Sequence, residues 1–119
     1  KISHIVEAGS DLFLMPSKYE PCGLNQIYSM LYGTIPVVRA TGGLDDTVIS
    51  WADNPDKATG FKFYDLTPDA VYNTVKWALS VFEDKAAVRK MQHNGMSSDF
   101  SWSASAEKYI SIYKKLLSE

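Results

Sequence analysis

Short runs of apolar residues alternate along this chain with segments in which apolar residues recur every three or four positions. Three of the runs have the length of β-strands: Leu12–Met15, Ile35–Ala40 and Phe61–Tyr64. The first is apolar throughout, which is typical of a parallel strand buried on both faces of a sheet. Pro16 directly follows this run, and a predicted tight turn, Thr41–Gly43, follows the second. We therefore expect short strands that end in well-defined loops.

Segments with helical periodicity lie between and after these strands. Thr67 followed by Pro68 is a typical helix start, because a threonine side chain caps the first turn and proline needs no N–H partner there. Gly33 and Gly95 are predicted to end the second and the fifth helix. The predicted helices cover Lys1–Ala8, the segment from Leu24 to Gly33, Leu44–Trp51, the segment from Thr67 to Phe82, Glu83–Asn94 and the segment from Trp102 to Leu117.

The alternation of strands and helices predicts the fold class. It is typical of an α/β protein with a Rossmann-like parallel sheet and flanking helices. Sheets of this kind usually have more than three strands. We therefore interpret residues 1–119 as a partial domain whose preceding strands are missing.

Composition and charge exclude several classes of partner. The net charge is −2 and the basic residues form no block or stripe, so neither a nucleic acid nor an anionic membrane is expected. The longest apolar runs have strand length, which predicts no transmembrane helix. The single cysteine, Cys22, excludes an internal disulfide and fits a reducing compartment such as the cytoplasm. We expect no cofactor and no metal, because His4 and His93 lie far apart and the pair Asp45-Asp46 has no third ligand nearby.

Two strand-to-helix junctions have a composition that suits ligand binding. They are Pro16–Gln26, which contains Glu20 and Gly23, and Thr41–Gly43. Ligands of open parallel sheets bind beyond the carboxyl ends of the strands, and free N–H groups at a helix N-terminus attract anions. The alternative is that these are ordinary turns, with Glu20 as a solvated acid and Cys22 as a small packed hydrophobe.

The residues around these junctions resemble a known family. The stretch Asp11–Gln26, followed by Tyr32–Leu44 and Asp46–Val48, is similar to the signature region of bacterial glycogen synthases and plant starch synthases. Thr59–Phe61 and Phe100–Trp102 resemble the C-terminal end of the same family. The resemblance therefore extends over nearly the whole chain.

This resemblance implies part of the C-terminal, nucleotide-sugar-binding domain of a GT-B fold. The whole enzyme would transfer glucose from ADP-glucose or UDP-glucose to the non-reducing end of an α-1,4-glucan, with the α configuration retained. ADP-glucose is the expected donor, because the bacterial and plant type fits better than the animal type. The N-terminal domain, which carries the acceptor groove, is absent from residues 1–119. The lone chain is therefore expected to be inactive.

The resemblance also implies the site residues. Glu20 matches the acidic catalytic residue at the donor sugar, and Asn25 matches a position near the diphosphate. Tyr28 stands where many related transferases have a second glutamate, as it does in bacterial glycogen synthases. Asp45 occupies a position that is often basic, which would make this edge of the site less attractive to phosphate. The implied substrate-binding residues are Cys22, Gly23, Leu24, Asn25, Thr41, Gly42 and Gly43.

Two other kinds of function stay open at the level of sequence. One is a module that binds nucleotide sugar or glucan without turnover, and the other is a purely structural α/β interaction domain. Trp77 and Trp102 are expected in core packing rather than in sugar stacking. The last helix carries Trp102, Tyr109, Tyr113 and Leu117 on one stripe, and exposure of this stripe would favour a homo-oligomer.

Overall fold

The computed structural model describes residues 2–118, which contain three β-strands and six α-helices. The strands are β1 (Leu12–Met15), β2 (Ile35–Arg39) and β3 (Phe61–Phe63). The helices are α1 (Ile2–Ala8), α2 (Asn25–Tyr32), α3 (Gly43–Thr47), α4 (Pro68–Val81), α5 (Lys85–Met96) and α6 (Trp102–Leu117). Lys1, which the periodicity places in the first helix, lies outside the described residues.

The three strands form one parallel sheet in the order β1-β2-β3. Leu12 pairs with Ile35, and Val37 pairs with Phe61, so all three strands run in the same direction. The predicted parallel α/β fold is confirmed. Because the strands are parallel, the loops that leave β1 and β2 start at the same edge of the sheet.

The central strand β2 divides the core into two clusters. Val37 belongs to a cluster with Phe61 and Met91, beneath α4 and α5. Its neighbour Val38 belongs to a second cluster with Leu44. Successive side chains of a strand point to opposite faces, so β2 is buried on both sides, as an apolar strand of a parallel sheet should be.

The helix that follows β2 is shorter than the periodicity predicts. It ends at Thr47 rather than at Trp51. Ser50 instead forms a parallel bridge with Gly60, and the Trp51 N–H donates to the Gly60 carbonyl at 2.9 Å. Backbone pairing with the segment before β3 therefore replaces the last helical turn.

Two glycines that were predicted to end helices behave differently. Gly33 ends α2 as expected, in the left-handed conformation with φ 81°. The prediction for Gly95 is wrong, because α5 continues through it to Met96. A Cβ atom at Gly95 would lie only 3.2 Å from the Cβ of Met30, so this glycine permits the close packing of α5 against α2.

The start of α4 follows its sequence signature. The Ala70 N–H donates to the Thr67 hydroxyl at 3.2 Å, and Pro68 is the first helical residue. Trp77 of this helix packs edge-on against Phe61, with ring centroids 5.0 Å apart, as expected for core packing. Leu79 of the same helix is exposed.

The apolar faces of α1 and α6 are exposed. In α1 these are Ile2, Ile5 and Val6. Within the described residues, α6 has no buried residue, and Trp102 is 89% exposed. The prediction that Trp102 packs in a core is therefore wrong, whereas the exposed stripe expected on the last helix is present. No helix within residues 2–118 is both long and apolar enough to cross a membrane.

Candidate functional site

The two junctions singled out from the sequence meet at the carboxyl edge of the sheet. The Gly43 N–H donates to the carbonyl oxygens of Glu20 at 3.1 Å and Pro21 at 3.2 Å. The loop after β1 and the turn after β2 are therefore joined directly, backbone to backbone. All the implied site residues lie on these two segments.

This backbone contact requires glycine at two positions. A Cβ atom at Gly42 would lie 2.1 Å from the Glu20 carbonyl oxygen, and one at Gly43 would lie 2.0 Å from the Cys22 carbonyl oxygen. Gly42 also has φ 48°, which other residues rarely adopt. The Gly43 N–H is used to hold the loop and is therefore not a free donor for a ligand.

Free donors lie instead at the start of α2. Within residues 2–118, the N–H groups of Cys22, Gly23 and Leu24 donate no intramolecular hydrogen bond. Leu24 occupies the N-cap position of α2 and provides no side-chain cap. Unpaired N–H groups and the positive end of the helix dipole make this position attractive to an anion or a hydroxyl oxygen.

The side chains at this edge are accessible. Glu20 is half-buried, and its carboxylate makes neither a hydrogen bond nor an ion pair in the described part of the chain. Cys22 is exposed, which contradicts the alternative that it is a packed hydrophobe. Asn25 is exposed at the first position of α2, and Thr41 is half-buried beside Gly42. A ligand at this edge would have access to all four.

Two cations near the edge, Arg39 and Lys62, are already engaged. Arg39, at the end of β2, donates from Nη1 to the Lys18 carbonyl at 2.7 Å and from Nε to the Tyr64 carbonyl at 3.2 Å. Lys62 donates to the Asp45 carboxylate at 2.7 Å, and only 9% of the Lys62 side chain is exposed. The negative charge of Asp45 is thus paired with a cation, so it repels phosphate less than the sequence alone suggests.

Two residues of this region were not assigned a role from the sequence. Gln26 is completely buried, and its Nε2 atom lies 3.1 Å from the Cys22 carbonyl, 3.0 Å from the Gly23 carbonyl and 3.1 Å from the Thr47 hydroxyl. Gln26 lies within the stretch that carries the family resemblance. No local pattern, however, relates it to Thr47.

The site is an open surface, and the adjoining groove contacts it only at Leu24. This groove has a volume of about 410 Å³ and lies between α2 and the segment 98–101. On its rim, hydrogen bonds from the Ser101 N–H and hydroxyl hold the pKa of the Asp99 carboxyl below its usual value. Among residues 2–118, no group of three His, Cys, Asp or Glu side chains is placed to hold a metal ion.

A parallel α/β sheet with glycine turns and a helix N-terminus at its carboxyl edge places the chain in the class of Rossmann-like α/β domains. Comparison with solved structures identifies a more specific fold within this class. The chain matches the catalytic domain of starch synthase IV from Arabidopsis thaliana, bound to ADP and acarbose, with a TM-score of 0.83. The two are 36% identical, and the match covers 99% of this chain and 25% of that one.

A second structure supports the same fold. Sucrose-phosphate synthase from Thermosynechococcus elongatus matches with a TM-score of 0.67 and 29% identity, over 96% of this chain and 27% of that one. The three-stranded parallel sheet with flanking helices is thus part of a GT-B glycosyltransferase fold.

The family model described as glycosyl transferases group 1 matches residues 1–95, and the chain belongs to this family. It is 54% identical over 114 residues to a glycogen synthase of Koribacter versatilis and 51% identical over 114 residues to one of Treponema denticola. These alignments cover 96% and 95% of the chain but only 24% and 23% of the relatives. The chain therefore spans about a quarter of the length of these relatives. The resemblance carried by Asp11–Val48 is confirmed.

The contact between the two loops can be tested by adding one carbon atom. We expect Gly43→Ala to lower the free energy of unfolding by about 1–3 kcal/mol, because its Cβ would overlap the Cys22 carbonyl. The amide resonances of residues 20–24 should shift in a ¹H–¹⁵N spectrum. Gly9→Ala is the matched control. Its Cβ would meet a single carbonyl oxygen, that of Ile5, at 3.1 Å in an exposed turn. Equal stability of the two variants would contradict the proposed role of Gly43 in the loop contact.

Proposed function

We propose that residues 1–119 form the nucleotide-sugar-binding part of the C-terminal domain of a retaining glucosyltransferase, a glycogen (starch) synthase. The whole enzyme transfers glucose from ADP-glucose, or UDP-glucose, to the non-reducing end of an α-1,4-glucan. The observation that carries this proposal is the joined pair of loops at the carboxyl edge. There the free N–H groups at the start of α2 lie on the same loop as the Glu20 carboxylate. Similarity to glycogen synthases over nearly the whole chain supports it.

The chemistry assigns a role to each part of this edge. As the bond between glucose and the nucleoside diphosphate breaks, negative charge builds on the leaving group. Preorganised N–H donors at Gly23, Leu24 and the first turn of α2, which begins at Asn25, stabilise that charge. Glu20 holds sugar hydroxyls and orients the donor rather than acting as a nucleophile.

Retention of configuration is consistent with this assignment. A glycosidase that retains through a covalent intermediate places two carboxylates about 5 Å apart. Here the position eight residues after Glu20 is Tyr28, which cannot serve as a second carboxylate. As the family resemblance implies, we propose attack from the same face as the leaving group, with the departing diphosphate on that side.

The relatives are about four times as long as this chain, and we propose that their remaining parts supply what this site needs. The N-terminal domain, the acceptor groove and the further cations that bind the diphosphate belong to the parts of the enzyme outside this quarter. ADP-glucose is the proposed donor, supported by the ADP bound to the similar starch synthase structure. We place the enzyme in the cytoplasm, in keeping with the single exposed Cys22.

Donor binding is tested by titrating the chain with ADP-glucose and then UDP-glucose while amide resonances are observed. We expect shifts at Glu20–Gln26 and Thr41–Gly43, with ADP-glucose binding more tightly. Glu20→Gln should weaken binding of ADP-glucose but not of ADP, because the carboxylate faces the sugar. The absence of shifts at millimolar ligand would contradict binding by this edge alone.

Catalysis is tested separately. The purified 119-residue chain should transfer no glucose from ADP-glucose to glycogen, because the open site excludes no water and lacks the acceptor groove. Release of ADP with incorporation of labelled glucose measures the reaction. Binding without turnover would match the expectation, and sustained turnover by the chain alone would contradict it.

We further propose that the isolated chain self-associates through α6. Its exposed stripe includes Tyr109, Ile112 and Tyr113, and contiguous apolar surface of this kind promotes association. Light scattering should give a dimeric or larger mass for the chain. The variant Ile112→Lys should be monomeric, and Ser111→Lys is the charge-matched control on the same helix. A monomeric mass for the unmodified chain at high concentration would refute this interface.

A further inference from the structure

We propose that Gln26 and Thr47 are positioning residues that lock the two loops of the site in the one geometry that turns the N–H groups of Gly23 and Leu24 outward. The significance for donor binding rests on the proposed function. The lock itself, meaning the hydrogen bonds that join Gln26, Thr47 and the two loops, lies within the chain.

The hydrogen bonds form a closed circuit between the loops. The two hydrogens of Gln26 Nε2 face three acceptors within 3.1 Å, so at least one hydrogen is shared: the carbonyls of Cys22 and Gly23 and the Thr47 hydroxyl, which is 21 residues away in sequence. The Thr47 hydroxyl in turn donates to the Gly43 carbonyl at 2.6 Å. The Gly43 N–H closes the circuit by donating to the Glu20 and Pro21 carbonyls, described above. Each loop is thus held by a side chain as well as by the backbone.

The direction of these bonds determines which way the free donors point. In a trans peptide, the carbonyl and the N–H of the next residue point in opposite directions. The Cys22 carbonyl shares its peptide plane with the Gly23 N–H, and the Gly23 carbonyl shares its plane with the Leu24 N–H. Both carbonyls point toward the buried side chain of Gln26. Both N–H groups therefore point away from the interior.

The fit of Gln26 is specific to this task. Its side chain is completely buried, yet within the described residues its Oε1 atom has no hydrogen-bond partner. The side chain therefore acts through Nε2, which contacts the loop carbonyls and Thr47. A Cβ atom at Gly23 would lie 2.6 Å from this Oε1, so glycine at that position makes room for the glutamine.

Two substitutions at Thr47 separate the effect of the hydroxyl from the effect of side-chain size. Thr47→Val keeps the size and removes the hydroxyl, whereas Thr47→Ser keeps the hydroxyl. We expect Thr47→Val to increase the mobility of the Cys22, Gly23 and Leu24 amides in ¹⁵N relaxation measurements. It should also weaken ADP-glucose binding about fivefold, because the hydroxyl's hydrogen bonds with Gln26 and with the Gly43 carbonyl are both lost. Thr47→Ser should restore both to within about twofold of the unmodified chain.

Thr59→Val is the control for loss of a threonine hydroxyl as such. The Thr59 hydroxyl accepts from the Ile49 N–H at 3.0 Å, in a segment that is not part of the two loops. This variant should be less stable but should leave the mobility of residues 22–24 and the affinity for ADP-glucose unchanged. A purely structural role of Thr47 would make Thr47→Val and Thr59→Val alike in these two measurements.

The two measurements keep the lock distinct from the proposed function. If the unmodified chain binds no ADP-glucose, donor binding by this edge fails, but amide mobility still tests the lock. Unchanged mobility at residues 22–24 in Thr47→Val would overturn the inference. So would an unchanged affinity in that variant when the unmodified chain does bind.

Discussion

The approach of two backbones at the carboxyl edge of the sheet is the contact on which the candidate site depends. Gly42 and Gly43 lie so close to the carbonyls of Glu20 and Cys22 that no side chain fits between them. This proximity follows from the parallel pairing of β1 with β2, since parallel strands bring both exit loops to one edge. Because Gly42 and Gly43 have no side chains, the two backbones can touch directly. This contact fixes the position of the rest of the site, including the free N–H groups at the start of α2.

The central strand β2 holds the carboxyl edge of the sheet in a fixed position. Val37 and Val38 of β2 are fully buried on opposite faces, so the strand that carries the Thr41–Gly43 turn is fixed by both core clusters. At its end, Arg39 ties the carbonyls of Lys18 and Tyr64 together. A site proposed to stabilise developing charge needs donors that do not reorganise during the reaction. The turn after β2 is attached to the best-buried strand, and it holds the loop after β1 through the Gly43 N–H, which meets that need.

The outer surfaces of α1 and α6 contrast with this interior. Both helices present apolar side chains that neither core cluster includes, although their periodicity is that of core-facing helices. The chain also spans only about a quarter of the length of its relatives. Periodicity reports that a helix face is suited to burial, but it does not report what covers that face.

The sequence by itself determined the local features. The apolar runs predicted the strands, Thr67 and Pro68 predicted the start of α4, and Gly33 predicted the end of α2, because each depends on neighbouring residues alone. It also located the two loops, since their composition and family resemblance are local patterns. Tertiary structure decided the rest. Gly95 continues a helix because Met30 packs against it, and α3 stops at Thr47 because residues near Ser50 pair with those before β3. The link between Gln26 and Thr47 spans 21 residues, and only the folded chain brings the two side chains within hydrogen-bond distance.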